Sequence, residues 1–408
     1  MQILTMSDLG FLPQTLAFHQ SLTAKARAFR LTVLCMDDVC LSFLRDRRLA
    51  CVDLISLAEL ERADPGLAAT VERETWRVYC WTAIPAFVHL MLTRVASGTP
   101  VLWVDSDVEF FHDPAVLLDE LGDGSILLTP HQYNRAYPIS APAAELTFRY
   151  GRFNGGTIAF RRDEDGVAGV RLWRERALGP GGFDRWDPAR HGNQVHIDDF
   201  AQRFAGARVL TVPGGVLGPW SGGRFRVASG PHGPTADGKP VIAYHYQSLR
   251  LGHASPPLSR QLLPNLLELP APRPPLQARA QPHYRLSWSE RRVFWRPYVR
   301  RLEQAVLEVL QSEPRYLAAL APPPSRPAVF DASLRHLRLE ASRIVVPPIR
   351  RFVHPARDSI TRPRRMQAPI TEAGAETGSS VRSAPRRAAA RACSNTERST
   401  FESDPADR

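Results

Sequence analysis

The chain has 408 residues, of which 44% are hydrophobic and 23% charged, and its formal net charge is +11. That is the composition of an ordinary globular protein, long enough for two or three domains. The charge is divided unevenly: residues 1–252 hold 26 basic and 27 acidic side chains, and residues 253–408 hold 26 and 14. The first part therefore carries no polyanion-binding signature, which excludes a nucleic-acid partner there. Lys25 and Lys239 are the only lysines beside 50 arginines, a skew that fits GC-rich coding better than selection for phosphate contacts.

From the start of the chain, Gln2–Met6 reads as a buried strand, followed by a helix over Leu12–Ala26 with Asp8 placed to cap it. Leu31–Met36 is a second strand ending at Asp37 and Asp38, Val39–Arg47 a short helix and Cys51–Leu57 a third strand. Thr75–Val95 reads as a long apolar helix in which Pro85 is a kink or a break between two helices. Val101–Val104 is a fourth strand. Strands alternating with helices imply a doubly wound α/β sheet, and such sheets bind ligands beyond the carboxyl ends of their strands. Asp8, Asp37, Asp38 and the Asp105–Asp107 stretch all stand at such ends. Aspartates there can equally be helix caps.

Met1 leads almost directly into an apolar strand with no basic region or cleavage site. The longest apolar segment, Tyr79–Leu92, contains Pro85 and His89 and is too short to cross a bilayer. Cys35, Cys40, Cys51, Cys80 and Cys393 have no CxxC spacing and read as buried thiols. The expected location is cytoplasmic.

The stretch VLWVDSDVEFFHDP, Val101–Pro114, is the most informative. An apolar strand delivers Asp105 and Asp107 to its end, and in extended backbone residues i and i+2 project to one side. Two carboxylates 4–5 Å apart repel by roughly 3–4 kcal/mol at an effective dielectric of about 20. Such a pair wants a cation or a raised pKa, and hard oxygen ligands suit Mg²⁺ or Mn²⁺. A turn in which either aspartate caps the next element remains the plain alternative. In Gly151–Phe160 (GRFNGGTIAF), paired glycines inside a strand-like run point to close approach of a ligand or to a β-bulge at a sheet edge.

Taken in order, several stretches resemble the GT-A type glycosyltransferases, and more narrowly a bacterial group related to the glycogenin-like and lipopolysaccharide-galactosyltransferase-like families. They are LTVLCMDD (31–38), YCWTAIP (79–85), VLWVDSDVEFFHDP (101–114), RFNGGTIAFRRDEDGVAGVRLWRER (152–176), HGNQVHIDDF (191–200), VPGGVLGPW (212–220) and VIAYHYQSL (241–249). The resemblance covers about residues 2–250. It implies a GT-A fold with a mixed sheet and transfer of a sugar from a nucleotide-diphosphate carrier, a UDP-sugar by expectation, to a glycan, glycolipid or protein acceptor.

By that resemblance Asp105, Asp107 and His245 hold the divalent cation. The imidazole tips the choice towards Mn²⁺ over Mg²⁺. Asp8, Asp37, Asp38, Asp105 and Ser106 are placed with the donor nucleotide and its phosphates; Arg73 and Arg77, on the segment leading into the long helix, could neutralise a phosphate or serve as solvated surface arginines. Asn154, Gly155 and Gly156 lie beside the sugar, and Trp220 lies on a loop that closes over the donor. Asn193 stands where the family usually has an aspartate and is followed by the matching Gln194. If the reaction inverts configuration, Asn193 cannot be the base and Asp198 or Asp199 could supply it; if it retains configuration, a polar residue near the reacting carbon is enough. Ser221, where relatives often carry Asn, is a milder departure.

Two other readings stand beside this one. A sugar nucleotidyltransferase would need a glycine-rich basic loop after the first strand, and Ser7–Pro13 has one glycine and no basic residue. A non-catalytic scaffold would dock through its basic C-terminal part. The expected organisation is a catalytic domain over 1–252, a Pro-rich linker over 253–354 with an amphipathic helix at about 296–312, and a basic disordered tail over 355–408. The helix either packs on the catalytic domain, the favoured arrangement, or makes a peripheral contact with an anionic membrane.

Overall fold

The computed structural model describes residues 1–71, 75–134, 143–179, 192–212, 214–253, 276–279 and 286–316. The Pro-rich stretches at 270–275 and 322–324, the tail over 355–408 and Arg73 lie outside these described residues.

The chain is mixed α/β. Strands β1 (Gln2–Ser7), β2 (Arg30–Cys35), β3 (Val52–Ser56) and β4 (Pro100–Val104) run parallel, with β5 (Val108–Phe110) just beyond β4. Further strands are β6 (Ile126–Pro130), β7 (Phe153–Arg161), β8 (Ala207–Val209) and β9 (Val216–Leu217). The main sheet has seven strands in the order β3-β2-β1-β4-β7-β6-β8. Strand β7 is antiparallel to both β4 and β6, so the sheet is mixed.

Side chains alternate between the two faces along each strand, and this divides the apolar interior into two clusters. Ile3, Leu31, Val33, Leu102, Val104 and Ala159 belong to one cluster. Leu4, Leu34, Val101, Trp103, Ile158 and Phe160 belong to the other. A run that is buried on both faces is what a sheet covered by helices on both sides requires.

Helices α1 (Leu12–Lys25) and α2 (Asp38–Arg47) lie on the first face. Asp37 caps α2, whereas Asp8, expected to cap α1, caps the 3₁₀ turn Leu9–Phe11 that precedes it, and α1 itself starts with Pro13 in its first turn and no side-chain cap. Short helices α3 (Leu57–Ala63) and α4 (Pro65–Ala68) lead towards α5 (Trp76–Arg94). The sequence allowed a break at Pro85, but α5 is one helix through it. Proline removes one internal hydrogen bond, and the burial of Ala83, Ile84, Ala86, Phe87 and Val88 around it offsets that loss. Helices α6 (Ala115–Leu121), α7 (Ala143–Tyr150), α8 (Glu164–Leu178) and α9 (Phe200–Arg203) complete this part.

Strands β10 (Val227–Gly230), β11 (Gly233–Ala236) and β12 (Lys239–Pro240) form a small antiparallel sheet. The next strand, β13 (Ala243–His245), belongs to a second three-stranded sheet in the order β5-β13-β9. In its antiparallel pairing with β5, His245 faces Val108, Tyr244 faces Glu109 and Ala243 faces Phe110. This register brings a residue from late in the chain back to the end of β4.

The helix expected over 296–312 is α10, Arg296–Ser312. Its face of Tyr298, Leu302, Ala305, Val306 and Val309 is buried in the same apolar cluster as Leu12, Leu16 and Phe18 of α1. An ion pair of 2.7 Å between Arg47 and Glu308 adds to the contact. The apolar stripe is thus used for packing, and Arg291, Arg292, Arg296 and Arg300 stand exposed. Among the described residues no helix is long and apolar enough to cross a membrane.

Candidate functional site

Strand β4 is fully buried over Val101–Val104 and leaves Asp105 at its end. The ladder runs one residue further, because the Asp105 amide donates to the Gly156 carbonyl at 2.9 Å. A tight turn closed by the Val108 amide on the Asp105 carbonyl (3.2 Å) then presents Asp107, and β5 begins. Ser106, at the tip of this turn, is buried. From the opposing strand, His245 Nε2 lies 3.0 Å from Asp107 Oδ1 and 3.6 Å from Asp105 Oδ2. One ligand atom from each of the three residues falls within 4.8 Å of the others, a spacing at which a single cation can be shared.

The electrostatics suit a cation. Burial pushes the Asp105 carboxyl up to about 6, with His245 opposing the rise and Asp107 adding to it. Burial by itself would lower the His245 pKa, but the two carboxylates beside it outweigh that and raise it. Two half-buried acids beside one buried imidazole therefore draw positive charge into their midst, and a proton or a divalent ion answers the demand. Two carboxylate oxygens and one nitrogen are a donor set that Mn²⁺ and Mg²⁺ accept, the nitrogen favouring Mn²⁺. The Trp103 indole N–H donates to Asp105 Oδ1 at 3.1 Å and fixes that carboxylate.

The paired glycines sit in the interior of the sheet, on β7 between β4 and β6, and not at an edge. Close approach is the reason for them. A Cβ on Gly156 would come 2.5 Å from Asp105 Oδ2 and 2.6 Å from His245 Cε1. One on Gly155 would come 3.0 Å from Gln194 Cβ and 3.1 Å from Asn193 Oδ1. Asn154 Nδ2 lies 3.3 Å from His245 Nδ1, while its Oδ1 accepts the Gly156 amide at 2.8 Å. With its Oδ1 taken by the Gly156 amide, Asn154 offers the ring a donor, so His245 Nδ1 accepts and Nε2 carries the proton directed at Asp107, a proton that a cation bound at Nε2 would displace.

Asn193 and Gln194 begin a 3₁₀ turn, Asn193–Ile197, that packs over this glycine pair. Gln194 accepts the Gly155 amide at 3.3 Å and donates to the Tyr150 carbonyl at 2.6 Å. The Asn193 carbonyl accepts the Trp173 indole N–H at 3.1 Å. The two acids that follow have different surroundings. Asp198 accepts the Arg152 amide at 2.7 Å. Asp199 is paired with Arg176 and Arg203, and its hydrogen bonds to them hold its carboxyl down at about 2.

Trp220 stands edge-on to the His245 ring, with centroids 5.3 Å apart, and edge-on to His131 at 5.2 Å. The Trp220 indole N–H is buried and has no hydrogen-bond partner among the described residues. His131 was not anticipated. It follows the end of β6 directly, the same strand-end position that drew attention to the aspartates. Its Nδ1 lies 3.1 Å from the Gly151 carbonyl, its ring stacks on Tyr133, and burial pushes its pKa down to about 3. Trp103 was missed as well, although its i−2 relation to Asp105 is a usable signal.

At the ends of β1 and β2 the aspartates act as caps. Asp8 accepts the Phe11 amide at 3.0 Å, and Asp37 accepts the amides of Cys40 at 2.7 Å and Leu9 at 2.8 Å. Burial and the neighbouring Asp37 raise the Asp8 pKa, and the Trp76 side chain hydrogen-bonds to Asp8. Asp38 is exposed in the first turn of α2 and Arg77 is exposed on α5.

No family model matches the chain. Two uncharacterized proteins of Bacillus subtilis strain 168 are similar to it. YfnF is 28% identical over 260 residues, which cover 60% of this chain and 81% of YfnF. YfnD is 26% identical over 225 residues, covering 55% and 70%. Solved structures with a similar fold are glycosyltransferases of the GT-A type. An active-site mutant of LgtC overlaps with a TM-score of 0.40 at 14% identity, covering 60% of this chain and 87% of LgtC. Mouse xyloside xylosyltransferase 1 overlaps with a TM-score of 0.39 at 13% identity, covering 60% and 97%. These overlaps are partial, and the functional reading rests on the chain's own residues.

Proposed function

We propose that the protein is a glycosyltransferase that moves a sugar from a nucleotide-diphosphate donor, a UDP-sugar in the first instance, to a glycan, glycolipid or protein acceptor. The observation that carries this is the convergence of Asp105, Asp107 and His245 against the side-chain-free backbone of Gly156. Mn²⁺, or Mg²⁺ in its place, would be held by these three residues and would stabilise the negative charge that develops on the departing diphosphate.

The remaining roles belong to the chain itself. Gly155 and Gly156, proposed to lie beside the sugar, make room for Asn193–Gln194 and for the triad respectively, and Asn154 holds the His245 ring in place. The Trp220 N–H is available to an oxygen of the donor. Gln194 and Asn193, packed on Gly155, border the sugar side of the site. A base for the acceptor hydroxyl needs a pKa nearer the working pH than Asp199 has, since a carboxyl held at about 2 is a poor proton acceptor. Asp198 is the better candidate if configuration is inverted. Asp8, Asp37, Asp38, Ser106 and Arg73 are proposed for the nucleotide and its phosphates, with the caps made by Asp8 and Asp37 supplying shape as well as charge. A cytoplasmic location belongs to the same proposal, as does the division of the chain after residues 252 and 354.

A sugar nucleotidyltransferase fits less well, because the β1–α1 connection is a short 3₁₀ turn, Leu9–Phe11, capped by Asp8 and without a basic residue. The test is incubation of the full chain with Mn²⁺ and a panel of nucleotide sugars, measuring nucleoside diphosphate and free sugar. Turnover of at least one donor is expected. Asp107→Ala should lower it by about 10² or more while leaving the circular dichroism spectrum intact. A wild-type chain that turns over no donor and binds neither Mn²⁺ nor Mg²⁺ would overturn the reading.

A further inference from the structure

Strand β13 has two occupied faces. Alternate side chains of an extended strand point to opposite sides, so His245 faces the acids while Tyr244 and Tyr246 face away. On that far side lies the C-terminal helical segment. The Trp295 indole N–H donates to the Tyr244 hydroxyl at 3.1 Å, and Tyr244 stacks on Phe294 with centroids 4.3 Å apart. The Tyr246 ring lies on Tyr298 at 3.6 Å, with the two planes 5° from parallel.

A polar chain runs through this contact. The Tyr246 hydroxyl is 2.8 Å from Glu109 Oε2 and 3.2 Å from the Phe294 carbonyl, which lies in the π-helical turn Arg291–Trp295. The other Glu109 oxygen accepts from Arg301 Nη1. Glu109 is only 4% exposed, and a carboxylate so placed is costly unless donors and a countercharge meet it. Tyr246 and Arg301 supply both.

What matters is where Glu109 and Tyr246 stand in sequence. Glu109 is two residues after Asp107, and Tyr246 directly follows His245. The Tyr246 amide also donates to the Asp107 carbonyl at 2.8 Å. Strand β5 is therefore fastened to Arg301 of α10 directly through Glu109, and β13 through Tyr246, which shares Glu109 with Arg301 and stacks on Tyr298 of the same helix.

We propose that Arg301, acting through Glu109 and Tyr246, is a positioning residue that sets the separation of Asp107 from His245, so that α10 is a working part of the cation site. The inference rests on the reading of the triad as a cation site. It assigns to the C-terminal helix a role in cation affinity. A site of this kind tolerates displacements of only about 0.5 Å, and loss of outer partners typically costs 10- to 100-fold in metal affinity.

The test uses the full chain and Mn²⁺ alone, with bound metal read by the loss of the free-ion electron paramagnetic resonance signal, alongside thermal unfolding. Arg301→Met should weaken Mn²⁺ binding about 10-fold, and Tyr246→Phe, which removes one hydroxyl, about threefold. Leu302→Ala, next along the helix, serves as the control: it should lower the unfolding temperature and leave Mn²⁺ affinity unchanged. Wild-type affinity in Arg301→Met overturns the proposal, as does an equal weakening in Leu302→Ala. If Arg301→Met does not fold, unchanged affinity in Tyr246→Phe overturns it. A wild-type chain that binds no Mn²⁺ overturns the triad reading itself, which separates the two failures.

Discussion

Gly156 has no room for a side chain. An alanine there would press its methyl group onto Asp105 and His245 at about the length of a short hydrogen bond, and both neighbours are held from behind, by Trp103 and Asn154 respectively. Gly156→Ala should therefore abolish Mn²⁺ binding, measured by calorimetry, at a stability cost of about 1–3 kcal/mol from overpacking. Retained Mn²⁺ affinity in that variant would contradict the close approach described above. His131 supports a second expectation. Its ordinary pKa is 6.5, and in the folded chain it is about 3. Below pH 6.5 the unfolded chain takes up a proton that the folded chain refuses, so stability falls as pH drops from about 6.5 towards 3. Between pH 7.5 and 5 the contribution is roughly 2 kcal/mol at most, and His131→Gln should flatten that part of the urea-midpoint profile. The acids of the site were legible in the sequence because the pair at a strand end stands in an ordered series of stretches that resembles one family; the pair alone reads equally well as a capped turn. His131 and Trp103 were not, since their roles depend on which strand lies beside which.

At the scale of elements, the four strands and three helices read between Gln2 and Val104 fall within one residue of those observed, while the short helices α3 and α4 between them carry too little periodicity to be read. Helix α5 follows the long-helix reading, and of the two alternatives at Pro85 the break is excluded because burial on both sides of the proline carries one helix through it. For strand β7 the edge-bulge alternative is half right: the strand is interior and antiparallel to both neighbours, but its ladder with β6 does shift register opposite the glycine pair, between the pairs Leu128–Ile158 and Pro130–Phe153. Helix α10 was expected as an amphipathic segment with two possible destinations. Leu302, fully buried against the α1 cluster, tests the one observed. Leu302→Ala should cost about 2–5 kcal/mol of stability, read by chemical denaturation, as a core leucine does and a membrane-facing one in water does not.

Across the whole molecule, the sequence by itself determined the α/β class, the strand-end aspartates and the separation of a charge-balanced first part from a basic second part. These are local or compositional properties: period-2 and period-3.6 burial, capping chemistry and a count of charges. The resemblance already grouped His245 with Asp105 and Asp107; only the tertiary structure decided how they meet, across the β5–β13 register, that Gly156 lies against Asp105 and His245, and that α10 reaches the far side of the same strands. Those contacts join residues 50 to nearly 200 positions apart. No periodicity encodes such pairings, because they depend on the order of strands in the sheets and on which apolar face finds which partner. The basic excess near α10 divides in the same way. Exposed Arg291, Arg292, Arg296 and Arg300 are a surface charge visible in composition, whereas Arg301, one position further, is turned inward to Glu109 by the pitch of the helix and the burial of its apolar face.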